Sequence, residues 1–340
     1  MWQKQRSYSG SAPLKKNDSS SPCLSASSRR RFIQATGAGI LGCGGSFTAS
    51  HATAAASQKD EGKPSLRYCF NTSTIRGQKL GLLEEIELVA KAGYDGIEPW
   101  ISEIARFQRE GGDLDDLRKK LDDLGLRVES AIGFANWIVD DESKRLSALE
   151  QAKREMELVR AIGGDRIAAP PAGATDKSGM DLFVIAERYR ALLEVGKKVG
   201  VVPQLELWGF SKTLSRLGEL VFVASESDHQ DACVLPDVYH IYKGGSGFAG
   251  LSLVAGAAMH AFHMNDYPDM PRETIGDGDR VYPGDGVAPL TKILKTLMSN
   301  GFRGALSLEL FNRSYWEKPA AEVIQTGLAK MKESVAIAQD

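Results

Sequence analysis

The chain has 340 residues and a formal net charge of −2, with a charged fraction of 25%. A charge this near neutral leaves no electrostatic footprint for nucleic acid or an anionic membrane surface. The length allows one large domain plus an extension, and composition divides the chain that way. Residues 1–62 are rich in Ser, Ala, Gly and basic side chains without apolar periodicity, whereas from Leu66 apolar runs alternate with helical patterns to the end.

Within residues 1–62, Ser28-Arg29-Arg30-Arg31-Phe32-Ile33-Gln34 resembles a bacterial twin-arginine export signal. A Gly- and Ala-rich apolar stretch, Ala35 to Thr48, follows, and then small-residue cleavage sites at Ala52-Thr53-Ala54 or Ala54-Ala55-Ala56. Basic region, apolar core and small-residue site in that order predict an exported, periplasmic protein. Ile40-Leu41-Gly42-Cys43 offers a second route, in which Cys43 carries a lipid anchor. The apolar stretch is too short and too Gly-rich to span a membrane. Of the four cysteines, Cys69 and Cys233 fall in the predicted mature domain among apolar neighbours, and are expected to be buried free thiols.

From residue 63 onward, eight strand–helix units can be counted. The predicted strands are Arg67–Thr72, Gly96–Pro99, Arg127–Ile132, Arg166–Ala169, Val201–Leu207, Ala232–Pro236, Met259–Met264 and Ala305–Leu310. The predicted helices lie near Gly81–Ala92, Leu114–Leu124, Glu142–Ile162, Met180–Val199, Leu214–Ser225, a weak Gly-rich stretch after the sixth strand, Ala288–Ser299 and Ala320–Ala338. Glycines at 93, 125, 163, 200 and 301 are placed to end helices. The roughly 275 residues match the length of a (β/α)8 TIM barrel, about 250. A doubly wound sheet is disfavoured because Asn71 to Gly77 is no phosphate-binding glycine loop.

Glu206, Asp237, His263 and Glu309 each end one of strands five to eight. In a closed barrel such positions converge at the top face. A carboxylate at the end of an apolar run is costly unless paired or coordinated, so the four are expected to hold a divalent metal. One nitrogen and three carboxylates form a hard, oxygen-rich set, which favours manganese, with magnesium, cobalt or zinc as alternatives. Strand parity puts Glu206 on one face with Gln204 and Trp208, and Glu309 with Ser307 and Phe311. The same parity separates His260 from His263 and leaves His260 as a packed residue or one behind the ligands. His229 is expected in a solvated loop, and His51 belongs to the export segment. His240 lies where strand six breaks and can contact substrate.

These residues, taken as Leu205-Glu206-Leu207-Trp208, Asp237-Val238-Tyr239-His240, His263-Met264-Asn265-Asp266, Pro283-Gly284-Asp285-Gly286 and Leu308-Glu309, resemble the sugar phosphate isomerase/epimerase family with a xylose isomerase-like barrel. The resemblance covers about residues 66–338. It implies metal ligation by Glu206, Asp237, His263 and Glu309 and a substrate contact from His240. Lys212 and Asp269 stand where the family's epimerases carry an acidic residue and a substrate arginine, so Arg272 or Arg280 is expected to substitute. The expected activity is isomerisation or epimerisation of a ketose, sugar or related polyol through an enediolate, with Glu206 and Glu309 as base and conjugate acid. Glu98 is expected to touch a substrate hydroxyl or to stand behind the ligands. Trp100, Phe134, Trp208 and Phe311 can line an apolar wall, and Lys243-Gly244-Gly245-Ser246-Gly247 can approach a phosphate. The alternatives are a metal-dependent lyase, dehydratase or hydrolase on an oxidised sugar of the 3-keto-glycoside or inosose type, or a non-catalytic sugar-binding protein. No stretch marks an interface, so pairing into a homo-oligomer stays open.

Overall fold

The computed structural model describes residues 66–340; the twin-arginine motif, Cys43 and the cleavage sites lie outside them. Eight parallel strands appear in chain order: β1 (Arg67–Asn71), β2 (Gly96–Glu98), β3 (Arg127–Val128), β4 (Arg166–Ala169), β5 (Val202–Glu206), β6 (Val234–Leu235), β7 (Ala261–Met264) and β8 (Ala305–Leu308). The helices are α1 (Leu82–Ala92), α2 (Ile101–Arg109), α3 (Leu114–Asp123), α4 (Glu142–Ala161), α5 (Leu182–Val199), α6 (Leu217–Glu226), α7 (Val238–Lys243), α8 (Leu290–Ser299), α9 (Arg313–Trp316) and α10 (Ala320–Gln339).

The strands pair in two arcs, β3-β2-β1-β8-β7 and β4-β5-β6. Two seams join the arcs into a barrel. At one, Val234 bridges Met259 and Asp237 bridges His263, with His263 N donating to Pro236 O at 3.0 Å. At the other, Ala168 N donates to Ala131 O at 2.8 Å. Both seams fall where a strand is shorter than its apolar run suggested. In β6 the cause is Pro236, which has no N–H to continue the ladder. After β3 the chain stays paired to β2 less regularly, through Glu129 N to Ile97 O and Ile132 N to Pro99 O.

The packing has two layers of different character. Outside the strands, α1 buries Leu82, Ile86 and Val89 and α8 buries Leu290, Ile293, Leu294 and Leu297, in a continuous core shared with Phe262, Met264 and Leu308. The five helix-ending glycines all have positive φ, as the turn into the next strand requires. Inside the barrel the apolar cluster is small, built on Ile132, Ala168, Leu235 and Ala261. The rest of the interior is polar: Asn71, Glu98, Ser130, Gln204, His263 and Ser307 are all fully buried there. Cys69 and Cys233 are buried free thiols.

Of the elements that differ from expectation, α2, α7 and the short α9, the first two shape the site. Between β2 and α3 the chain forms an additional helix, α2, whose first turn is capped by Glu103 accepting from Trp100 N at 2.9 Å. The Gly-rich stretch after β6 begins with the short α7, and Asp237 is its N-cap, with Oδ1 accepting from His240 N at 2.6 Å.

Candidate metal centre and active site

Strand ends of β1, β2, β5, β7 and β8 and the N-cap of α7 deliver polar side chains to one point, and His263 is at its middle. On β7, parity turns His263 into the lumen while Phe262 and Met264 join the outer core. The two ring nitrogens have different surroundings. Nε2 lies 3.0 Å from Glu98 Oε2, and that oxygen also accepts from Asn71 Nδ2 at 2.9 Å and Ser307 Oγ at 2.7 Å. Nδ1 is buried and makes no hydrogen bond. It faces Glu309 Oε2 at 3.2 Å and Glu206 Oε1 and Asp237 Oδ2 at 3.8 Å each.

That arrangement fits a metal. A ligating histidine commonly has its far nitrogen held by a carboxylate, which fixes the ring and leaves the other nitrogen for the ion. Asp237, His263 and Glu309 offer ligand atoms all within 4.8 Å of one another. Glu206 stands at the edge of this group, makes no hydrogen bond to a described residue, and lines the adjoining cavity. Asp237 serves two ends at once: Oδ1 caps α7 while Oδ2 points into the site, held by Asn265 Nδ2 at 2.8 Å.

Arg280, from the long loop after β7, supplies the positive charge. It is 1% exposed. Nη1 donates to Glu309 Oε2 at 2.7 Å and Asp237 Oδ2 at 3.2 Å, and Nη2 to Asp277 Oδ1 at 2.6 Å. Burial works against its charge, but Asp237, Asp277 and Glu309 outweigh burial and hold its pKa above the usual value. The carboxylates respond unequally. Burial, then the charges of Glu309, Asp237 and Glu98, push Glu206 well above the usual range, against His263. Burial also acts to raise Glu309, but His263 and Arg280 keep it below the usual range. For His263 burial acts to lower the pKa, and the facing Glu309 and Glu98 raise it well above 6.5.

His240, at the start of α7, is buried beside the ligands. Its Nδ1 accepts from Gly209 N at 3.2 Å. Burial and the neighbouring Arg280 push its pKa well below 6.5, so the ring is neutral. With Nδ1 accepting, the proton sits on Nε2 and is available to an oxygen acceptor. The nearest group to Nε2 is Arg280 Nη2 at 3.1 Å, itself a donor, so this contact is not a hydrogen bond in that tautomer. Gly209 permits the approach, since a Cβ there would lie 2.4 Å from His240 O.

Beside these groups opens a cavity of about 210 Å³ lined by Glu206, His240, Arg280, Glu309 and an aromatic wall. Trp100 and Phe134 have ring centroids 4.9 Å apart, Phe134 and Trp208 5.8 Å, and Trp100 and Phe311 6.3 Å. Phe210 extends the wall, stacked on Trp208 at 5.2 Å. The guanidinium of Arg76 lies over Trp100 at 3.5 Å. Phe210, Arg76, Asp277, Asn71 and Asn265 were not singled out in the sequence. Asn71, the last residue of β1, carried the clearest missed signal, a polar residue ending an apolar run.

Of the two places expected for Glu98, the structure gives the second: it is fully buried behind His263, away from the cavity. Other expectations are corrected. His260 lies at the opposite mouth of the barrel, not behind the ligands. His229 is only 5% exposed at its side chain, because Nδ1 accepts from Asp231 N at 3.1 Å and Nε2 approaches Glu194. Lys243 donates to the carbonyls of Glu273 and Ile275 and so ties down the long loop, and Ser246 Oγ accepts from Leu217 N. Neither faces the cavity. Arg272 lies over the Tyr242 ring at 4.9 Å, so Arg280 is the loop arginine that enters the site.

A model of the xylose isomerase-like TIM barrel family matches residues 86–334, and the chain belongs to that family. An inosose isomerase from Halalkalibacterium halodurans is 25% identical over 269 residues, covering 77% of this chain and 93% of that protein. A 3-dehydroshikimate dehydratase from Pseudomonas putida is 22% identical over 74% of this chain and 39% of its own length. The crystal structure of an IolI protein with a bound zinc atom superposes with a TM-score of 0.74 at 23% identity, covering 80% of this chain and 98% of that one.

The site gives a joint expectation for pH and charge. Burial and neighbouring carboxylates raise Glu206, and Glu309 and Glu98 raise His263; only deprotonated groups ligate, so a metal ion competes with protons at both. Divalent-metal affinity should therefore rise with pH, by roughly ten- to hundredfold per unit while one or two protons are released. Calorimetry in buffers of different ionisation enthalpy measures the release, and pH-independent binding would contradict it. Arg280→Met should destabilise the metal-free protein by about 3–5 kcal/mol, the penalty for unpairing buried charge. The same variant should bind metal more tightly, since a competing cation has gone; denaturant titration with and without metal tests both.

Proposed function

We propose that this protein is a divalent-metal-dependent isomerase or epimerase acting on a ketose, sugar or related polyol. The observation that supports it most is a pair of carboxylates, Glu206 and Glu309, on strand ends three apart in the barrel, flanking one buried imidazole and opening on one small cavity. Glu206, Asp237, His263 and Glu309 would hold the ion, which supplies Lewis acidity to a carbonyl and makes the neighbouring C–H proton removable. The oxygen-rich donor set suits manganese, and also magnesium, cobalt or the zinc seen in the IolI structure.

The chain's own groups divide the remaining work. Glu309, kept ionised by His263 and Arg280 and held by Asn71 Nδ2 at 3.3 Å, takes the proton. Glu206, whose carboxyl burial and its acidic neighbours push up, delivers one from the other side. His240 Nε2 donates to a substrate oxygen and fixes its position. The rings of Trp100, Phe134, Trp208, Phe210 and Phe311 cover the C–H face of a sugar and exclude water. The cavity matches one sugar or cyclitol ring. No lysine lines it, and its arginine is engaged by Asp237, Asp277 and Glu309, which favours an unphosphorylated substrate.

A second reading, dehydration or cleavage of an oxidised sugar of the inosose or 3-keto-glycoside type, uses the same first proton abstraction and is supported by the similarity to a dehydratase. Incubation with ketoses, inososes and 3-keto-glycosides in deuterated water separates the two. Deuterium uptake without elimination supports the first, and elimination or cleavage products the second. Glu206→Gln and Glu309→Gln should each slow either reaction by about 10²–10⁴-fold; undiminished turnover in both variants would refute the shared mechanism. Export by the twin-arginine route to the periplasm rests on Arg29-Arg30-Arg31-Phe32-Ile33 and the apolar segment after it. N-terminal sequencing of the mature protein should start after Ala54 or Ala56; a start at Met1 would refute cleavage.

A further inference from the structure

The opposite end of the barrel carries a second charged cavity that the proposed chemistry does not use. It measures about 390 Å³ and is lined by residues at or just before strand starts. Arg67 begins β1, Arg127 begins β3, Arg166 begins β4, Arg303 precedes β8 and His260 precedes β7. Four guanidinium groups there face only two carboxylates, Glu129 and Asp165, which leaves an excess of two positive charges.

The pairing shows where that excess lies. Glu129 is shared: Arg67 binds it through Nε at 2.6 Å and Nη2 at 2.9 Å, while Arg127 Nε stands 3.3 Å away. Asp165 is taken by Arg166 Nη1 at 2.6 Å. Arg166 Nε is buried and has no hydrogen-bond partner. Arg303 has no carboxylate partner among the described residues and donates only to the Phe302 carbonyl at 3.0 Å. His260 is half-buried, and its ring makes no hydrogen bond to a described residue. Burial and the adjacent Arg166 push its pKa down to about 4, so it is neutral and has a ring N–H to donate.

We propose that this N-terminal mouth is a binding site for a doubly charged oxyanion of the phosphate class, held by Arg166, Arg303, Arg127 and His260. The groups are of the right kind, since guanidinium forks match the oxygens of such an anion and charge-assisted bonds to it are the strong ones. The anion would balance the excess charge.

Inorganic phosphate is the probe, titrated at constant ionic strength into the full-length, magnesium-loaded protein while the histidine ring signals are followed by ¹H–¹³C NMR. The His260 signal should move and saturate. Arg303→Met and Arg127→Met, both at exposed positions, should each weaken that binding by about tenfold, roughly 1.4 kcal/mol. Arg303→Lys should recover part of the loss, with the signals of His240 and His263 unchanged throughout. An unmoved or non-saturating His260 signal would overturn the proposal, as would equal binding in the methionine variants. Movement of His240 and His263 instead would place phosphate at the top face and overturn it equally. None of these outcomes depends on the reaction proposed for that face.

Discussion

Four carboxylates, Glu98, Glu206, Asp237 and Glu309, are buried within reach of one imidazole and one guanidinium. Isolated buried carboxylates are far too costly to persist. Their presence together is tolerable only because His263 and Arg280 balance part of the charge and a divalent ion can balance more. The polar interior of the barrel follows from this constraint. Asn71, Ser307 and Asn265 each orient a carboxylate, and the lumen gives up apolar packing to accommodate them.

The barrel fold makes that concentration of charge achievable. Strand ends from β1, β2, β5, β7 and β8 and the cap of α7 all face one axis, while the apolar faces of the same strands pack outward on the helices. Asp237 links the two requirements. It follows β6, caps α7 and leaves one oxygen for the site, so the fold and the chemistry rely on the same side chain. The loop arginine reaches this centre because Lys243 and Asp266 hold its loop in place. Asp266 accepts from the backbone N–H groups of Tyr267, Gly284, Gly286 and Ala288.

Much of this was legible in the sequence, for definite reasons. Apolar runs of strand length alternating with helical patterns indicated the barrel, and three carboxylates and one imidazole at their ends marked the group that the structure brings together, since period-two patterning records which face is buried. Parity separated His263 from His260, and the two now lie at opposite ends of the lumen. Other features depend on tertiary contacts that leave little local trace. Glu98 could be placed either in the cavity or behind the ligands, because nothing nearby in sequence shows that Asn71, Ser307 and His263 surround it. α2 was missed because Pro99-Trp100 reads as a loop, and its cap comes from Glu103 within the helix. The arginine excess at the lower mouth is spread over residues 67 to 303 and forms a cluster only when the barrel closes.

Held together, the four strand-end residues would form a metal centre with Glu98 behind it. Anomalous diffraction from crystals of the manganese-loaded protein locates the ion. One peak is expected, liganded by Glu206, Asp237, Glu309 and Nδ1 of His263, with Nε2 still on Glu98. A peak elsewhere, or His263 binding the ion through Nε2, would contradict it.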